Sequence, residues 1–273
     1  EVEEILVDDG EATGVRVEDP GGTEKLYSAD RVISDAGAHN TYRDLLSDRV
    51  HEGVNRIVES LDQFSDSRSF VTLYLGLEKS PESLGVQGEN YWVNQSWGHS
   101  DDNLNPFQVL RGNPEFCFLS FGPENDPTAE YSTAQVITMA PYEAFEAWSD
   151  ESWPRRSGDY QELKRRIGDG LMDRAEEAVP GLSEIVDFRE VSTPLSIEHF
   201  TGHRRGAPYG IPAVPDRFDS PATGVDTPID NLYLTGADAG CPGVMGAAFS
   251  GLFAAGRAMG GITGPLKVFK QLR

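Results

Sequence analysis

The sequence predicts a mixed fold of helices and strands, α/β at the two ends of the chain and α+β in its middle. Three observations carry this prediction. Short runs of branched and aromatic residues, typical of strands, occur near the N-terminus and through the middle. Two long stretches repeat apolar residues at helical spacing. The end of the chain joins a short apolar strand to an apolar helix through a glycine-rich bend.

The first 37 residues predict a β-hairpin followed by two further strands. The hairpin strands are expected at residues 1–7 and 14–18, where apolar and branched residues recur. Asp19-Pro-Gly-Gly22 predicts a turn, because proline and glycine supply the backbone angles that turns require. The further strands are expected at 26–27 and 31–34.

The middle of the chain predicts an antiparallel sheet with helices on one face. A helix at 39–61, with Tyr42, Leu46 and Leu61 among its apolar residues, is expected to bridge two domains. Strands are predicted at 70–75, 91–93, 115–121 and 134–139, and helices at 142–148 and 160–179. Such a sheet suits the wall of a substrate cavity, with ordinary core packing of its aromatic residues as the alternative.

The last forty residues give the clearest indication of a binding site. A strand at 232–235 ends at Gly236, where the absence of a side chain lets the backbone approach a ligand. Asp238 follows, and its carboxylate can accept hydrogen bonds from sugar hydroxyls. Pro242 and Gly243 break the chain before a helix at 244–260. The first free amides of that helix are expected to point into the bend, which suits an anionic or polar ligand.

Two other interpretations of this segment stay open on the residues alone. Gly246, Ser250, Ala254 and Ala258 recur every fourth residue, so the helix has a thin face that could pack closely and bind nothing. Residues 244–262 are nearly apolar, but Arg257 and five glycines among them disfavour a membrane span.

Four motifs together resemble one enzyme group. Asn231-Leu-Tyr-Leu-Thr-Gly-Ala-Asp238, continuing to Gly260, is similar to the C-terminal flavin-binding signature of FAD-dependent phytoene desaturases, carotenoid isomerases and retinol saturases. Residues 2–17, with Glu11-Ala-Thr-Gly-Val-Arg-Val17, resemble the hairpin before the second half of their FAD domain. The four motifs follow the family order over nearly the whole chain.

The remaining two motifs lie at the borders of the substrate domain in this group. Ala29-Asp-Arg-Val-Ile-Ser-Asp-Ala36, followed by Thr41-Tyr-Arg-Asp-Leu-Leu46, resembles the strand that exits into that domain. Thr193-Pro-Leu-Ser-Ile-Glu-His-Phe200, with Gly206-Ala-Pro-Tyr-Gly210, resembles the segment that returns from it. The resemblance therefore implies part of a Rossmann-like FAD-binding domain at 1–37 and 228–273, and a substrate-binding domain at 38–227.

The resemblance implies a set of FAD-binding positions. The backbone of Val2 is expected at the adenine, and Ser34 and Asp35 near the ADP half. The other positions implied are Gly236 and Asp238 at the pyrophosphate and ribitol, and Val244, Met245, Gly246 and Ala247 with helix amides at the flavin pyrimidine edge. The first half of such domains opens with Gly-x-Gly-x-x-Gly, which does not occur in these residues. We therefore expect the chain to be the C-terminal part of a longer enzyme.

The implied activity is oxidation, reduction or isomerisation at carbon–carbon bonds of a carotenoid-like, apolar polyene, with FAD as the redox cofactor. Two alternatives stay open. The first is another flavoenzyme of the same broad fold, such as an amine oxidase. The second is a non-catalytic binding domain.

Candidate catalytic groups come from the returning segment, which the resemblance places near the mouth of the substrate channel. His199 is the first candidate, because a neutral imidazole can exchange a proton near pH 7. A hydrogen-bonded surface histidine is the alternative. His203 lies four residues further on, but Gly202 and Gly206 predict a loop here and no third ligand completes a metal pattern. No metal site is predicted.

Composition limits the partners. The chain has 45 acidic and 23 basic residues and a formal net charge of −22, so long-range repulsion opposes nucleic acid and anionic membranes. Its two cysteines, Cys117 and Cys241, lie far apart and predict no disulfide framework, as in a cytoplasmic protein. Because polyenes partition into lipid, transient peripheral contact with a membrane remains compatible with this prediction.

Overall fold

The computed structural model describes residues 1–46, 52–65, 68–95, 105–122 and 131–260. The chain divides into two compact units. Unit 1 comprises Glu1–Ser67 and Pro208–Arg273, and unit 2 comprises Arg68–Ala207.

The strands and helices alternate irregularly along the chain. The strands are β1 (Val2–Asp8), β2 (Glu11–Glu18), β3 (Glu24–Ser28), β4 (Val32–Ser34), β5 (Ser69–Leu77), β6 (Tyr91–Asn94), β7 (Phe116–Phe121), β8 (Ser132–Ala140), β9 (Val186–Ser192) and β10 (Leu232–Leu234). The α-helices are α1 (Glu52–Leu61), α2 (Gly158–Ala178), α3 (Pro194–Thr201) and α4 (Gly243–Ala258). A π-helix at Asn40–Leu45 and several 3₁₀ turns lie between them.

Unit 1 is built on two small sheets. β1, β2 and β3 form an antiparallel sheet in that order, and β4 pairs with β10 in parallel. The bridge between Glu11 and Asp230 joins the start of β2 to the segment leading into β10. The hairpin and the final strand–bend–helix segment lie where the sequence predicts them, because turn and glycine residues mark their ends.

One apolar core holds unit 1 together. It combines residues of the strands with residues of the π-helix, of α1 and of the segment that precedes β10. Its buried members are Ile5, Ala12, Ala38, Tyr42, Leu46, Val54, Ile57, Leu61, Ile211, Ala222, Ile229, Leu232, Leu234 and Ala239. Because Tyr42, Leu61 and Ile211 share this core with the strands, the divisions between the units lie near residues 67 and 207. The predicted divisions, after 37 and before 228, lie inside unit 1.

Unit 2 is a five-stranded antiparallel sheet with the strand order β6-β7-β8-β5-β9 and the long helix α2 packed on one face. Side chains alternate between faces along a strand, so Val71, Leu73 and Leu75 of β5 point into the core with Leu163 and Ile167 of α2. The helix approaches its neighbours closely at Gly170, where an added Cβ would lie 2.1 Å from the carbonyl oxygen of Gly112.

Three local expectations differ from the structure. The helix predicted at 39–61 is a π-helix and α1, with residues 47–51 outside the described part of the chain. The helix predicted at 142–148 consists of two 3₁₀ turns, Tyr142–Ala144 and Glu146–Trp148. Strand β9 was not predicted, because only Val191 in it is buried and it shows no apolar alternation.

The segment around His199 was predicted as a loop, and this is wrong. It is helix α3, which begins at Pro194 and ends before Gly202. Thr193 and Ser196 form a reciprocal capping box, and proline is favoured at the first helical position. Gly202 then ends the helix in a left-handed conformation, so this glycine marks the helix end and not a loop interior.

Within the described ranges, no helix combines the length and the apolar character needed to cross a membrane.

Candidate flavin site and substrate face

The candidate site in unit 1 lies where two parallel strands end at the same edge. Ser34 of β4 pairs with Leu234 of β10, and the N–H of Thr235 donates to the carbonyl of Ser34 at 2.8 Å. Asp35 and Gly236 follow directly. A Cβ placed on Gly236 would lie 1.8 Å from Oδ1 of Asp35, so the exposed carboxylate rests against the glycine backbone. Two of the predicted cofactor residues are therefore in contact.

Asp238 is an internal anchor of this edge. Its side chain is 4% exposed. Oδ2 accepts the N–H of Ala38 at 2.8 Å, and Oδ1 accepts the N–H of Ile211 at 2.7 Å. The carboxylate thus holds together the loops after β4 and before β10. Its predicted contact with ribitol stays a prediction, and both oxygens already bind protein amides.

Ser34 also has a partner within the protein. Its hydroxyl lies 2.7 Å from that of Thr41, and both side chains are buried. This contact fixes the start of the π-helix against the end of β4. The predicted position of Ser34 near the ADP half of the cofactor stays a prediction.

Arg217 is a residue of this edge that sequence reasoning missed. It is fully buried, and its guanidinium donates to the carbonyls of Gly240, Ile211 and Ala237, the first at 2.9 Å. Burial lowers the pKa of Arg217, and the nearby carboxylate of Asp238 opposes that change. The sequence held no signal for this role, because the three carbonyls lie 6 to 23 residues away.

Helix α4 begins beside this edge with its first amides uncapped. Pro242 precedes it and supplies no side-chain cap, and Val244 is 86% and Met245 67% exposed. A Cβ built on Gly243 would meet no atom within 4 Å, so the space before the helix is open. The free N–H groups at a helix N-terminus carry partial positive charge. This end of α4 can therefore hold a polar or anionic group.

Two contacts fix the position of this helix N-terminus. The hydroxyl of Ser250 donates to the carbonyl of Gly236 at 2.9 Å, which ties α4 to the bend after β10. Gly246 packs on the preceding loop so closely that a Cβ would lie 1.8 Å from the carbonyl oxygen of Cys241. The small residues predicted at every fourth position thus serve close packing at Gly246, Ser250 and Ala254, which are buried.

Two open strand edges lie in the same unit. Glu1 and Glu18 exchange backbone hydrogen bonds, so the backbone groups of Val2 point to the other edge of β1, where the described residues add no strand. On β4, Val32 and Ser34 direct their backbone groups to β10, so those of Ile33 point outward. The side chain of Ile33 is 46% exposed. A two-stranded parallel sheet is unusual by itself, and no further strand of the described ranges pairs with this edge.

Unit 2 carries a second candidate surface on the sheet face opposite α2. Trp92, Phe118 and Ile137 lie in register across β6, β7 and β8, and Phe116 and Met139 form the adjacent row. Trp92 is 69% exposed, and its ring lies 4.8 Å from that of Phe118. We call these five residues the open sheet face. The sheet predicted as a cavity wall therefore presents a half-exposed, apolar surface.

His199 lies outside both surfaces. It is exposed on α3, where its ring stacks on Trp153 at 5.3 Å between centroids. His203 bonds to Thr201, with Nδ1 2.8 Å from Oγ1. Among the residues described, no three of His, Cys, Asp or Glu come together as a metal site. The catalytic role of His199 stays a prediction.

Comparison with known proteins identifies relatives of the chain. It is 32% identical over 260 residues to the all-trans-retinol 13,14-reductase of Danio rerio, covering 90% of this chain and 42% of that protein. The chain is a relative of the retinol 13,14-reductases. It is also 26% identical over 268 residues to the chloroplastic prolycopene isomerase of Arabidopsis thaliana, with coverages of 94% and 40%. The resemblance predicted from the four motifs is confirmed. The chain spans about two fifths of the length of these relatives.

Solved structures share the fold. An oxidoreductase from Methanosarcina mazei matches with a TM-score of 0.53 at 16% identity, over 99% of this chain and 48% of that chain. Cyclohexylamine oxidase from Brevibacterium oxydans matches with a TM-score of 0.51 at 12% identity, over 100% and 48%. These likenesses confirm the predicted mixed fold with antiparallel sheets. No protein-family model matches the chain.

Proposed function

We propose that this chain supplies the flavin-facing half of an FAD site and the substrate wall of an oxidoreductase acting on carbon–carbon bonds of an apolar polyene. The observation that carries the proposal is the uncapped N-terminus of α4, held by Ser250 and Gly246 against the bend that ends β10. A helix end so placed suits a cofactor that is polar along one edge.

The described residues fit FAD at three places. The open space before Gly243 adjoins the free N–H groups of Gly243, Val244 and Met245, which can donate hydrogen bonds to the pyrimidine edge. Because the helix begins one residue earlier than predicted, the N–H groups of Gly246 and Ala247 belong to its internal hydrogen bonds. Gly236 exposes backbone at the strand end, beside Asp35. The outward backbone of Val2 can donate to and accept from adenine. Asp238 and Ser34 support this arrangement from inside the protein, through their bonds to Ala38, Ile211 and Thr41.

The cofactor and the protein have separate tasks in this proposal. FAD accepts or donates the reducing equivalents at the polyene. The amides of α4 place fixed positive partial charge where a reduced flavin is negative, which favours electron uptake. The protein also orients the polyene and keeps water from it.

The open sheet face supports an apolar substrate. Trp92, Phe118 and Ile137 extend across three neighbouring strands, which are spaced about 4.8 Å apart in a sheet. An extended hydrocarbon can lie along such a row and remove its apolar area from water. The relatives named above act on retinol and on prolycopene according to their names. We propose that the substrate-binding region within residues 38–227 includes this face.

The other nucleotide-binding elements belong, in this proposal, to the part of the relatives that this chain does not match. The outward-facing backbone of Ile33 and the open edge of β4 offer a place for a further parallel strand. A glycine-rich strand–turn–helix there would supply the pyrophosphate site.

An amine-oxidase-like activity is a weaker candidate. Its support is a likeness of fold at 12% identity, whereas the sequence relatives at 32% and 26% carry retinol and carotenoid activities in their names. A non-catalytic binding role is the remaining alternative and predicts no flavin.

A charge placed at Val244 tests the site directly. In the natural polypeptide that carries these residues, Val244→Asp puts a carboxylate at the uncapped end of α4. It should raise stability without flavin by about 0.5 kcal/mol, because an acidic residue favours a helix N-terminus. It should weaken FAD binding at least about tenfold, because the carboxylate occupies the same amides and repels a negative flavin.

Val244→Thr is the matched control, since threonine has the shape of valine and no charge. It should bind FAD within about twofold of the wild type. Unfolding in urea and fluorescence titration with FAD measure the two quantities separately. If Val244→Asp binds FAD as tightly as Val244→Thr, the cofactor does not use this helix end and the proposed site is wrong.

A further inference from the structure

Unit 2 carries an exposed aromatic patch, formed by Trp153, His199 and Phe200. Trp153 and His199 stack with planes 23° apart, and Phe200 meets both rings edge-on at 4.9 and 4.8 Å. Trp153 is 47% and Phe200 63% exposed. Neither ring enters the buried core of unit 2. The rings therefore hold one another at the surface.

Two arginines follow Trp153 in the same turn. Within the described ranges, no carboxylate oxygen lies within 4.0 Å, the limit for a salt bridge, of a side-chain nitrogen of Arg155 or Arg156. Arg156 lies over the ring of Tyr160, 5.2 Å from its centroid, and its buried Nε has no acceptor in that part of the chain. A positive charge thus stands beside the aromatic patch.

Two of the neighbouring acids, Glu151 and Glu198, are bonded to other partners. Glu151 accepts the N–H of Ser157 at 2.6 Å. Glu198, next to His199 on α3, accepts the hydroxyl of Tyr142 at 2.6 Å and the N–H of Arg205 at 2.9 Å. These two carboxylates therefore form no ion pair with the guanidinium groups of the turn.

We propose that the aromatic patch with Arg155 and Arg156 docks on the surface of a zwitterionic lipid bilayer. Tryptophan and phenylalanine rings favour the boundary between head groups and acyl chains. Guanidinium groups bind the phosphate of a head group, and the exposed Arg155 is the one best placed to do so. Apolar rings beside cations on one surface match the two layers of a bilayer surface.

The net charge selects the kind of bilayer. A formal charge of −22 repels an anionic membrane over the Debye length, about 8 Å at physiological ionic strength. A zwitterionic surface presents phosphate without that repulsion. The inference rests on the proposed function for its purpose, because an apolar polyene is stored in lipid and has to be collected there.

Flotation with phosphatidylcholine vesicles tests the docking surface, using the natural polypeptide that carries these residues. Trp153→Ser combined with Phe200→Ser should lower the vesicle-bound fraction about tenfold, because the apolar rings supply most of the attraction. Leu26→Ser combined with Tyr27→Ser is the matched control. These residues of β3 are 67% and 54% exposed, and both arginine and tryptophan are absent from their strand. The control should therefore bind vesicles like the wild type.

Further binding measurements distinguish a lipid bilayer from a free anion as the partner of this surface. Arg155→Gln with Arg156→Gln should lower binding severalfold, and inorganic phosphate at the concentration of lipid phosphate should release none of the bound protein. Phosphatidylserine vesicles should bind less protein at low salt than at high salt, because salt screens the net repulsion. Far-ultraviolet circular dichroism confirms that each variant is folded.

Several results would overturn the proposal. They are equal binding of the Trp153/Phe200 variant and the wild type, equal loss in the Leu26/Tyr27 control, release by phosphate, or no vesicle binding by the wild type. Capture of a protein through the patch without vesicle binding would also reject the lipid. The assay contains neither flavin nor polyene, so its failure leaves the flavin proposal untouched, and the reverse also holds.

Discussion

At the scale of single residues, the candidate site depends on charged side chains that the fold itself uses. Asp238 was predicted as a ligand of ribitol, and it is bonded to two backbone amides and 4% exposed. Arg217, which the sequence did not indicate, bonds to three carbonyls around the same bend. The pair stabilises the loop from which cofactor-binding backbone would project. Asp238 therefore has a structural role at this edge, and its contact with ribitol stays a prediction.

Replacing Asp238 by asparagine should destabilise unit 1. One of its two amide donors would then face an NH₂ group, so we expect a loss of roughly 2–3 kcal/mol in the free energy of unfolding. Asp44→Asn, at an exposed position of the π-helix, should stay within about 0.5 kcal/mol. Urea unfolding followed by circular dichroism measures both. Equal midpoints for the two variants would contradict the anchoring role.

At the scale of elements, glycines mark where backbones meet. Gly206 has φ +57°, and a Cβ there would lie 2.2 Å from the carbonyl oxygen of Pro194 at the start of α3. Gly85 has φ +86°, and a Cβ there would meet nothing within 4 Å. Both glycines adopt the left-handed conformation, but only at Gly206 would an added Cβ collide with another part of the backbone.

Alanine at these two glycines should therefore cost different amounts. Gly85→Ala should destabilise unit 2 by about 1 kcal/mol through backbone strain alone. Gly206→Ala should cost at least about 3 kcal/mol, because the start of α3 must also move. Thermal unfolding of the two variants measures the difference, and a smaller loss for Gly206→Ala would show that α3 does not pack as described.

The loop after α2 predicts a pH dependence. Glu176 accepts the N–H of Gly181 at 2.6 Å and of Ser183 at 2.8 Å, and these bonds, the one from Ser183 foremost, lower its pKa. A carboxyl group whose pKa is lower in the folded than in the unfolded chain stabilises the fold. This stabilisation is complete above the unfolded pKa, about 4.3 for glutamate, and is lost as pH falls through the folded pKa.

Glu176→Gln should cost about 1 kcal/mol at neutral pH, because an amide accepts these bonds less strongly than a carboxylate. The difference from the wild type should shrink as pH falls below about 4.3 and vanish below the lowered folded pKa, where Glu176 of the wild type is also neutral. Unfolding in urea between pH 3 and pH 7, chosen roughly to bracket that value, measures it. A difference that is constant with pH would contradict the role of the carboxylate.

At the scale of the whole molecule, elements whose ends are marked by turn residues, proline or glycine could be predicted from the sequence. Elements that depend on pairing with distant parts of the chain could not. The hairpin and the segment from β10 to α4 were located within three residues, because turns, proline and glycine mark their ends. β9 was missed, since its exposed residues depend on pairing with β5. The antiparallel sheet of unit 2 was predicted, and the use of its open sheet face as a cavity wall stays a prediction. Its register depends on pairings between β6, β7 and β8, which no local pattern specifies.

The division into units is also a property of distant contacts. Residues 38–65 and 208–227 were expected in the substrate domain, whereas Tyr42, Leu61 and Ile211 pack in the core of unit 1. Four motifs in family order predicted the relationship to retinol and carotenoid enzymes, and sequence comparison confirms it. Neither the motifs nor the sequence comparison shows which side chains anchor the site.

A substitution on the open sheet face should separate substrate handling from flavin binding. Phe118→Ser removes the ring that Trp92 contacts, so we expect the turnover of an apolar polyene to fall about tenfold or more, while FAD affinity changes less than about twofold. Absorbance of the polyene reports the reaction, because reduction shortens the conjugated system and desaturation lengthens it. Unchanged turnover would remove this face from the substrate site.

The flavin content of the purified natural polypeptide shows whether this chain forms part of an FAD site. We expect a yellow protein with about one FAD per polypeptide, whose unfolding temperature rises further when FAD is added in excess. A colourless protein that gains no thermal stability from added FAD would contradict it.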